Sequence, residues 1–168
     1  MSDAELPEIA RTLTLHVAVT MQRERAPNRW EDWRHAPVAV DLDEGGLGTA
    51  ARPLRDDGQT RLTLHPGLPL LLHADEGEGY HLNLSSGTPV WFVMWRVSEE
   101  DPAEAVPERV TLSYNEAGRL LDAQERVDPV PLPPAVVEML QAFTGAHYRP
   151  EPKQRRRPAS FRAPGERR

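Results

Sequence analysis

Between Thr12 and Met21 the chain alternates without a break: Leu13, Leu15, Val17, Val19 and Met21 fall on one side, Thr12, Thr14, His16 and Thr20 on the other. A period of two puts successive side chains on opposite faces of an extended backbone, so the segment predicts a half-buried strand. After a Pro-Asn break, ERAPNRWEDWRHAPVAVDL carries two tryptophans into an extended apolar stretch around Val38 to Leu42. Residues 43 to 53, DEGGLGTAARP, read as a flexible loop. Asp57-Gly58 reads as a tight turn into a second alternation, RLTLH, with Leu62 and Leu64 inward. PVWFVMWRV, 89 to 97, is apolar at both parities, the pattern of a central strand covered twice. Arg109 to Ser113 give one more short strand.

Helical spacing is clear in one place. LPPAVVEMLQAFTGAHY sets Val136, Met139, Leu140 and Phe143 on one stripe, with Pro134 in the first turn and Gly145 at the stop. This helix is the expected lid over the second face of the tryptophan strand. Asn115 is expected to cap a brief helix running to about Ala123. The stretch HADEGEGYHL, 73 to 82, reads as a hairpin whose loop is Glu76-Gly77-Glu78. That register pairs His73 with His81, Leu72 with Leu82 and Leu70 with Leu84, matching leucines to leucines on one face, whereas a one-residue slip buries polar groups. The fold class that follows is mostly β, a small antiparallel barrel or sandwich of about seven or eight strands, with one C-terminal amphipathic helix. The expected organisation is a mobile N-terminus over 1–10, a single β-rich domain over 11–148, and a disordered basic Pro/Arg-rich tail over 149–168.

Composition sharpens this. Seventeen prolines in 168 residues keep helices few. No cysteine is present, which removes disulfides, thiolate nucleophiles, cysteine-held iron–sulfur clusters and thiolate zinc. Lys153 is the sole lysine among 20 basic residues, so a body-borne Schiff-base or phosphate-gripping lysine has no candidate. Lys153 to Arg168 holds seven basic residues and one acid; the remaining 152 residues then carry 13 basic against 25 acidic, a net of −12. An acidic body repels polyphosphate, so nucleic-acid binding would have to come from the tail. No apolar run approaches the length of a signal peptide or a membrane helix, which makes the cytoplasm the expected compartment.

Four groups of residues carry candidate chemistry. On the wet face of the expected hairpin, His73, Asp75 and His81 form a two-histidine, one-carboxylate set of the type that suits Fe(II) or Zn(II), although a hairpin's outer face is polar for solvation alone. Glu76 and Glu78, at a glycine-flanked tip, are both left in water and lack the differing environments that acid/base pairs need. Trp30, Trp33 and Arg34 have the composition of a binding hot spot, or else plug the open end of a barrel with Arg34 over the rings. Arg155, Arg156 and Arg157, with Phe161 and Arg162, are either a solvated tail or a linear element for an acidic partner or nucleic acid. No residue is assigned a catalytic role and no cofactor is called for.

GLPLLLHADEGEGYHLNL followed by PVWFVMWRV resembles the pattern E-x-E-x-Y-x-x-N-L, then Pro and a hydrophobic strand ending in Arg, of a small proteobacterial family of unknown function. RWEDWRHAPVAV resembles that family's tryptophan-rich lead-in to a strand and KQRRR its basic C-terminal run, the likeness spanning roughly residues 14 to 157. Members often carry the description "molybdopterin-guanine dinucleotide biosynthesis protein A", and their genes lie beside those for molybdenum-dependent formate dehydrogenase. Nucleotidyl transfer is rejected here, because the first strand runs into TMQRERAPNRW with no glycine-rich loop to cradle a triphosphate. What the resemblance implies is a non-enzymatic accessory protein that binds a formate dehydrogenase subunit or maturation factor. The alternatives are a metal-dependent enzyme at His73, Asp75 and His81, and a nucleic-acid-binding regulator acting through the tail.

Overall fold

The computed structural model describes residues 10–27 and 32–152. Strands β1 (Thr12–Arg25), β2 (Trp33–Leu42), β3 (Arg52–Asp56) and β4 (Thr60–His73) form one antiparallel sheet in the order β2-β1-β4-β3. Strands β5 (Val90–Val97), β6 (Ala105–Thr111) and β7 (Arg126–Pro131) form a second, in the order β6-β5-β7. The two antiparallel sheets stay separate, so the closed-barrel alternative is set aside. The alternation of β1 has its expected effect: Val17 and Val19 are fully buried and Met21 nearly so, together with Leu70 and Leu72 of β4 and Trp91 and Val93 of β5. The core lies between the sheets.

Leu62 and Leu64 do not share that inner face, as the sequence pattern expects. Val17 pairs with Leu68 but Val19 pairs with His65, so three steps on β4 oppose two on β1. The surplus residue forms a bulge at Pro66-Gly67, where Gly67 takes a φ of 76° that only glycine adopts freely. Parity flips across it. Leu68, Leu70 and Leu72 lie with Val17, Leu15 and Leu13, while Leu62 and Leu64 lie with Gln22 and Thr20 on the opposite face. The Asp57-Gly58 turn is where the sequence places it: Gly58 has φ 82°, and the Asp57 carboxylate accepts from the Gln59 and Thr60 amides at 3.0 and 2.7 Å. Those amide bonds hold the Asp57 carboxyl below its ordinary range.

The largest departure is at residues 73–85. Instead of a hairpin, β4 runs into a 3-10 turn (Ala74–Glu76) and helix α1 (Gly77–Ser85). The expected cross-strand pairs of His73 with His81 and Leu72 with Leu82 therefore do not exist. Tertiary burial overrides the leucine match: Tyr80 and Asn83 are each 1% exposed, whereas Leu82 is 39% exposed. The two glycines permit close approach instead of a turn. A β-carbon on Gly77 would fall 2.5 Å from Tyr148 Cβ, and one on Gly79 would fall 2.0 Å from Ser113 Oγ.

Helix α2 (Tyr114–Asp122) is capped by Ser113, not Asn115; the buried Ser113 Oγ accepts from the Glu116 amide at 3.1 Å. Helix α3 (Pro134–His147) forms where its apolar stripe indicates, with Val136, Leu140 and Phe143 buried, and runs two residues past the expected stop at Gly145. Its seat differs from expectation. It packs on the 3-10 turn and α1, with Phe143 edge-on to Tyr80, while α2 covers β5 and β7 and brings Tyr114 against Phe92. Among the described residues no helix is long and apolar enough to cross a membrane.

Candidate functional site

Glu76, Tyr80 and Asn83 follow a spacing of i, i+4, i+7, which in α1 and the turn before it directs all three side chains to one side. Each ties α1 to a different neighbour. The Glu76 carboxylate accepts from Ser113 Oγ and from the Arg119 guanidinium of α2, both at 2.6 Å. The Tyr80 hydroxyl accepts from the His73 amide at the end of β4, at 2.9 Å. Asn83 donates to the carbonyls of Val90 and Leu112 at 2.9 and 3.0 Å and accepts from the Val90 amide at 3.0 Å. A buried amide with all these partners costs little to bury and fixes the orientation of both strands it joins. Burial pushes the Tyr80 phenol up to about 12; the His73 amide opposes this and Glu76 and Glu116 add to it. These residues form a structural clasp.

Beside the clasp lies a cavity of about 460 Å³ between β4, β6 and α2, lined by Leu71, His73, Glu76, Arg109, Glu116 and Arg119 among others. Four of its charges satisfy one another, and Glu108 forms no ion pair among the described residues. Arg119 holds Glu76, Arg109 reaches Glu116 at 3.4 Å, and Thr111 Oγ1 donates to Glu116 at 2.8 Å. A ligand entering here would first have to break those bonds, each made to an ionised group.

The opposite end of the sandwich is different. On the inner face of the first sheet one cross-strand row holds Arg61, Arg23 and His35, and the next pairs Arg25 with Trp33. The Arg23 and Arg25 guanidinium groups lie 4.2 and 4.8 Å from the Trp33 ring centre. From the second sheet comes Trp95, 7% exposed, its indole N–H donating to Asp128 at 2.6 Å and its ring carrying Arg126 at 5.2 Å. The loop from β5 to β6 is stapled against this end: Arg23 donates to the Ala103 carbonyl at 2.9 Å, His35 Nε2 lies 3.1 Å from the Pro102 carbonyl, and Arg61 pairs with Glu104 at 3.1 Å. His65, two rows further in, is held below its usual pKa by burial, with Glu104 pulling the other way. Between loop and sheets opens a cavity of about 430 Å³ lined by Asp32, Trp33, Arg34, His35, Trp95, Val97, Pro102 and Arg126. Among the described residues neither Arg34 nor Arg126 forms an ion pair.

The structure thus brings Trp33 and Arg34 to one cavity, but it is Arg23 and Arg25, not Arg34, that lie over the Trp33 ring. Trp30 and the tail residues Arg155, Arg156 and Arg157 lie outside the described residues. His73, Asp75 and His81 are not brought together. His73 lines the second cavity, Asp75 is an exposed partner of Arg11, and the His81 ring packs against Tyr148. Among the described residues no group of His, Asp and Glu is arranged to hold a metal ion. Sequence reasoning missed Trp95, Arg126 and His35 as neighbours of Trp33, because the first two lie 60 or more residues away and only the packing of β2 beside β7 joins them. The i, i+4, i+7 spacing of Glu76, Tyr80 and Asn83 was the signal available for the clasp.

No curated protein and no solved structure matches the chain. A family model described as a protein of unknown function, DUF3305, matches residues 16–157, taking in both sheets and all three helices save the first residues of β1. With most of its length accounted for by that model, the chain belongs to the DUF3305 family.

Proposed function

We propose that the protein is a non-catalytic accessory factor that binds another protein through the cavity at the Trp33 end of the sandwich. The observation that carries this reading is the convergence on one concave surface of two tryptophans and two arginines that form no ion pair among the described residues, since Trp and Arg are the residues that most often anchor protein interfaces. Trp95 and Trp33 are already held by Asp128, Arg23 and Arg25, so little side-chain freedom is lost when a partner arrives. The basic run Arg155, Arg156 and Arg157 is a second contact in this reading. The likeness to the E-x-E-x-Y-x-x-N-L pattern supplies the first partner to test, a formate dehydrogenase subunit or a maturation factor of that molybdenum enzyme.

The test is native co-purification of the tagged full chain from cells expressing formate dehydrogenase, followed by identification of what is retained. A formate dehydrogenase component is expected in the wild-type eluate and its recovery falls in Trp33→Ala and in Arg155→Glu/Arg156→Glu/Arg157→Glu. Recovery of no protein partner, or equal recovery by these variants, contradicts the reading.

A further inference from the structure

We infer that the Trp33–Trp95 cavity receives an acidic segment of the partner protein, whose carboxylates accept from the Arg34 and Arg126 guanidinium groups. This rests on the protein-binding reading above and adds the chemistry of what is bound. Four arginines, Arg23, Arg25, Arg34 and Arg126, surround the two indoles. The carboxylates nearby are Asp32 in the cavity wall, Asp128 bonded to the Trp95 indole, Glu104, which is bonded to Arg61 and 3.7 Å from Arg23, and Glu24, the cross-strand neighbour of Arg34. Counting Arg61, five guanidinium groups meet these four carboxylates, which leaves this end of the sandwich positive by one charge on a body whose first 152 residues sum to −12.

A positive cleft in an otherwise negative surface selects its ligand by sign. It draws in acidic chains that the rest of the surface repels, because charge in a low-dielectric concavity is focused. The guanidinium groups add geometry, since their planar forks match carboxylates with paired N–H donors. The donors are also in surplus: Arg23 Nε and Arg61 Nε are buried without a hydrogen-bond acceptor, at the back of the same cation cluster. A cavity of about 430 Å³ takes one or two side chains, so an acidic residue beside an apolar one fits better than a folded surface.

Single-stranded nucleic acid is the competing occupant, because tryptophan and arginine also make base-stacking grooves. The geometry disfavours it. Non-specific strand binders offer aromatic faces for successive bases along a basic track. Here both indoles already carry guanidinium groups, and Trp95 is 7% exposed.

Fluorescence anisotropy of the purified full chain against labelled peptides tests this. The probes are Glu-Asp-Leu-Phe-Asp-Glu, its amide counterpart Gln-Asn-Leu-Phe-Asn-Gln, and a dodecamer of deoxythymidylate, at low and at physiological salt. The acidic peptide is expected to bind, to bind at least about tenfold more tightly than the amide peptide, and to lose about tenfold in affinity in Arg34→Gln/Arg126→Gln. Arg34 and Arg126 are both exposed, so this variant keeps the fold, which circular dichroism verifies. Absence of acidic-peptide binding, equal binding of the amide peptide, unchanged binding by the double variant, or tighter binding of the oligonucleotide would each overturn the inference. Failure here leaves co-purification of a partner standing, in which case the cavity binds that protein by other chemistry. Failure of co-purification alone removes the accessory reading while leaving the peptide result intact.

Discussion

The close contact of α1 with α2 turns the same chemical change, glycine to alanine, into opposite outcomes at two helical positions. At Gly79 an added methyl lies 2.0 Å from Ser113 Oγ, 3.0 Å from Ser113 Cβ and 3.2 Å from the Asn115 amide nitrogen. Ser113 is fully buried and cannot swing into solvent. Either the helices separate, which as overpacking costs about 1–3 kcal/mol, or the hydroxyl turns away. Turning away removes the cap on the Glu116 amide, about 1 kcal/mol, and the donor to Glu76, about 1 kcal/mol more because Arg119 still holds that carboxylate. Against this, alanine gains about 1 kcal/mol over glycine as a helix former. The net for Gly79→Ala is a loss of about 1 kcal/mol and at most about 2 kcal/mol. At Gly118, in the interior of α2, nothing lies within 4 Å of the added carbon, so Gly118→Ala keeps the helical gain of about 1 kcal/mol. Urea unfolding followed by circular dichroism measures both, provided the slope with denaturant is unchanged. In thermal melts the first variant should drop by roughly 2–8 °C and the second should rise by roughly 2–4 °C. Gly79→Ala as stable as wild type, or Gly118→Ala less stable, would refute the contact geometry on which the clasp depends.

Two shifted groups make stability depend on pH, Tyr80 on the alkaline side and His65 on the acid side. Free tyrosine ionises near 10 and buried Tyr80 near 12, so the folded state keeps a proton that the unfolded chain gives up; stability is full below about pH 10 and falls by roughly 1–3 kcal/mol between about pH 10 and 12. Tyr80→Phe should start less stable by one hydrogen bond but lose that alkaline slope, and equal slopes in urea titrations of the two proteins would contradict the assignment. On the acid side, half-buried His65 has its pKa lowered, so its contribution is present above about pH 6.5 and is lost as pH falls through the lower folded value. His65→Gln should flatten the stability profile between about pH 7 and 5, and a profile as steep as wild type would show that another group is responsible.

What the sequence made legible was local. The Thr12–Met21 alternation, the doubly apolar 89–97 strand, the Asp57-Gly58 turn and the Val136–Phe143 stripe each answer to a period or a turn preference that needs no distant partner. What it hid depended on contacts between elements. Leucine matching across Glu76-Gly77-Glu78 suggested a hairpin because glycine pairs commonly mark turns, yet Gly77 and Gly79 are glycine because Tyr148 and Ser113 press against them. The cap of α2 slipped two positions, to Ser113, whose three-residue spacing to Glu116 is the ordinary signature of a helix start. Trp33 and Arg34 were visible as anchor types, but nothing near them in the chain announces Trp95 or Arg126, which arrive from the other sheet.

The bulge at Pro66-Gly67 has a consequence for how this strand can change length. Every leucine from 62 to 72 in β4 sits at an even number except Leu71, and a uniform strand would commit them all to the same layer. One surplus residue divides that run, leaving Leu62 and Leu64 on the opposite face, where Leu64 is still buried, and Leu68, Leu70 and Leu72 on the face that meets the second sheet. Deleting Gly67 would restore a continuous count and force one half of the strand to present the wrong side chains, whereas removing or adding residues in twos on either flank preserves the division. Chain length near this point is thus constrained by odd and even, and tolerance to insertion there should alternate accordingly.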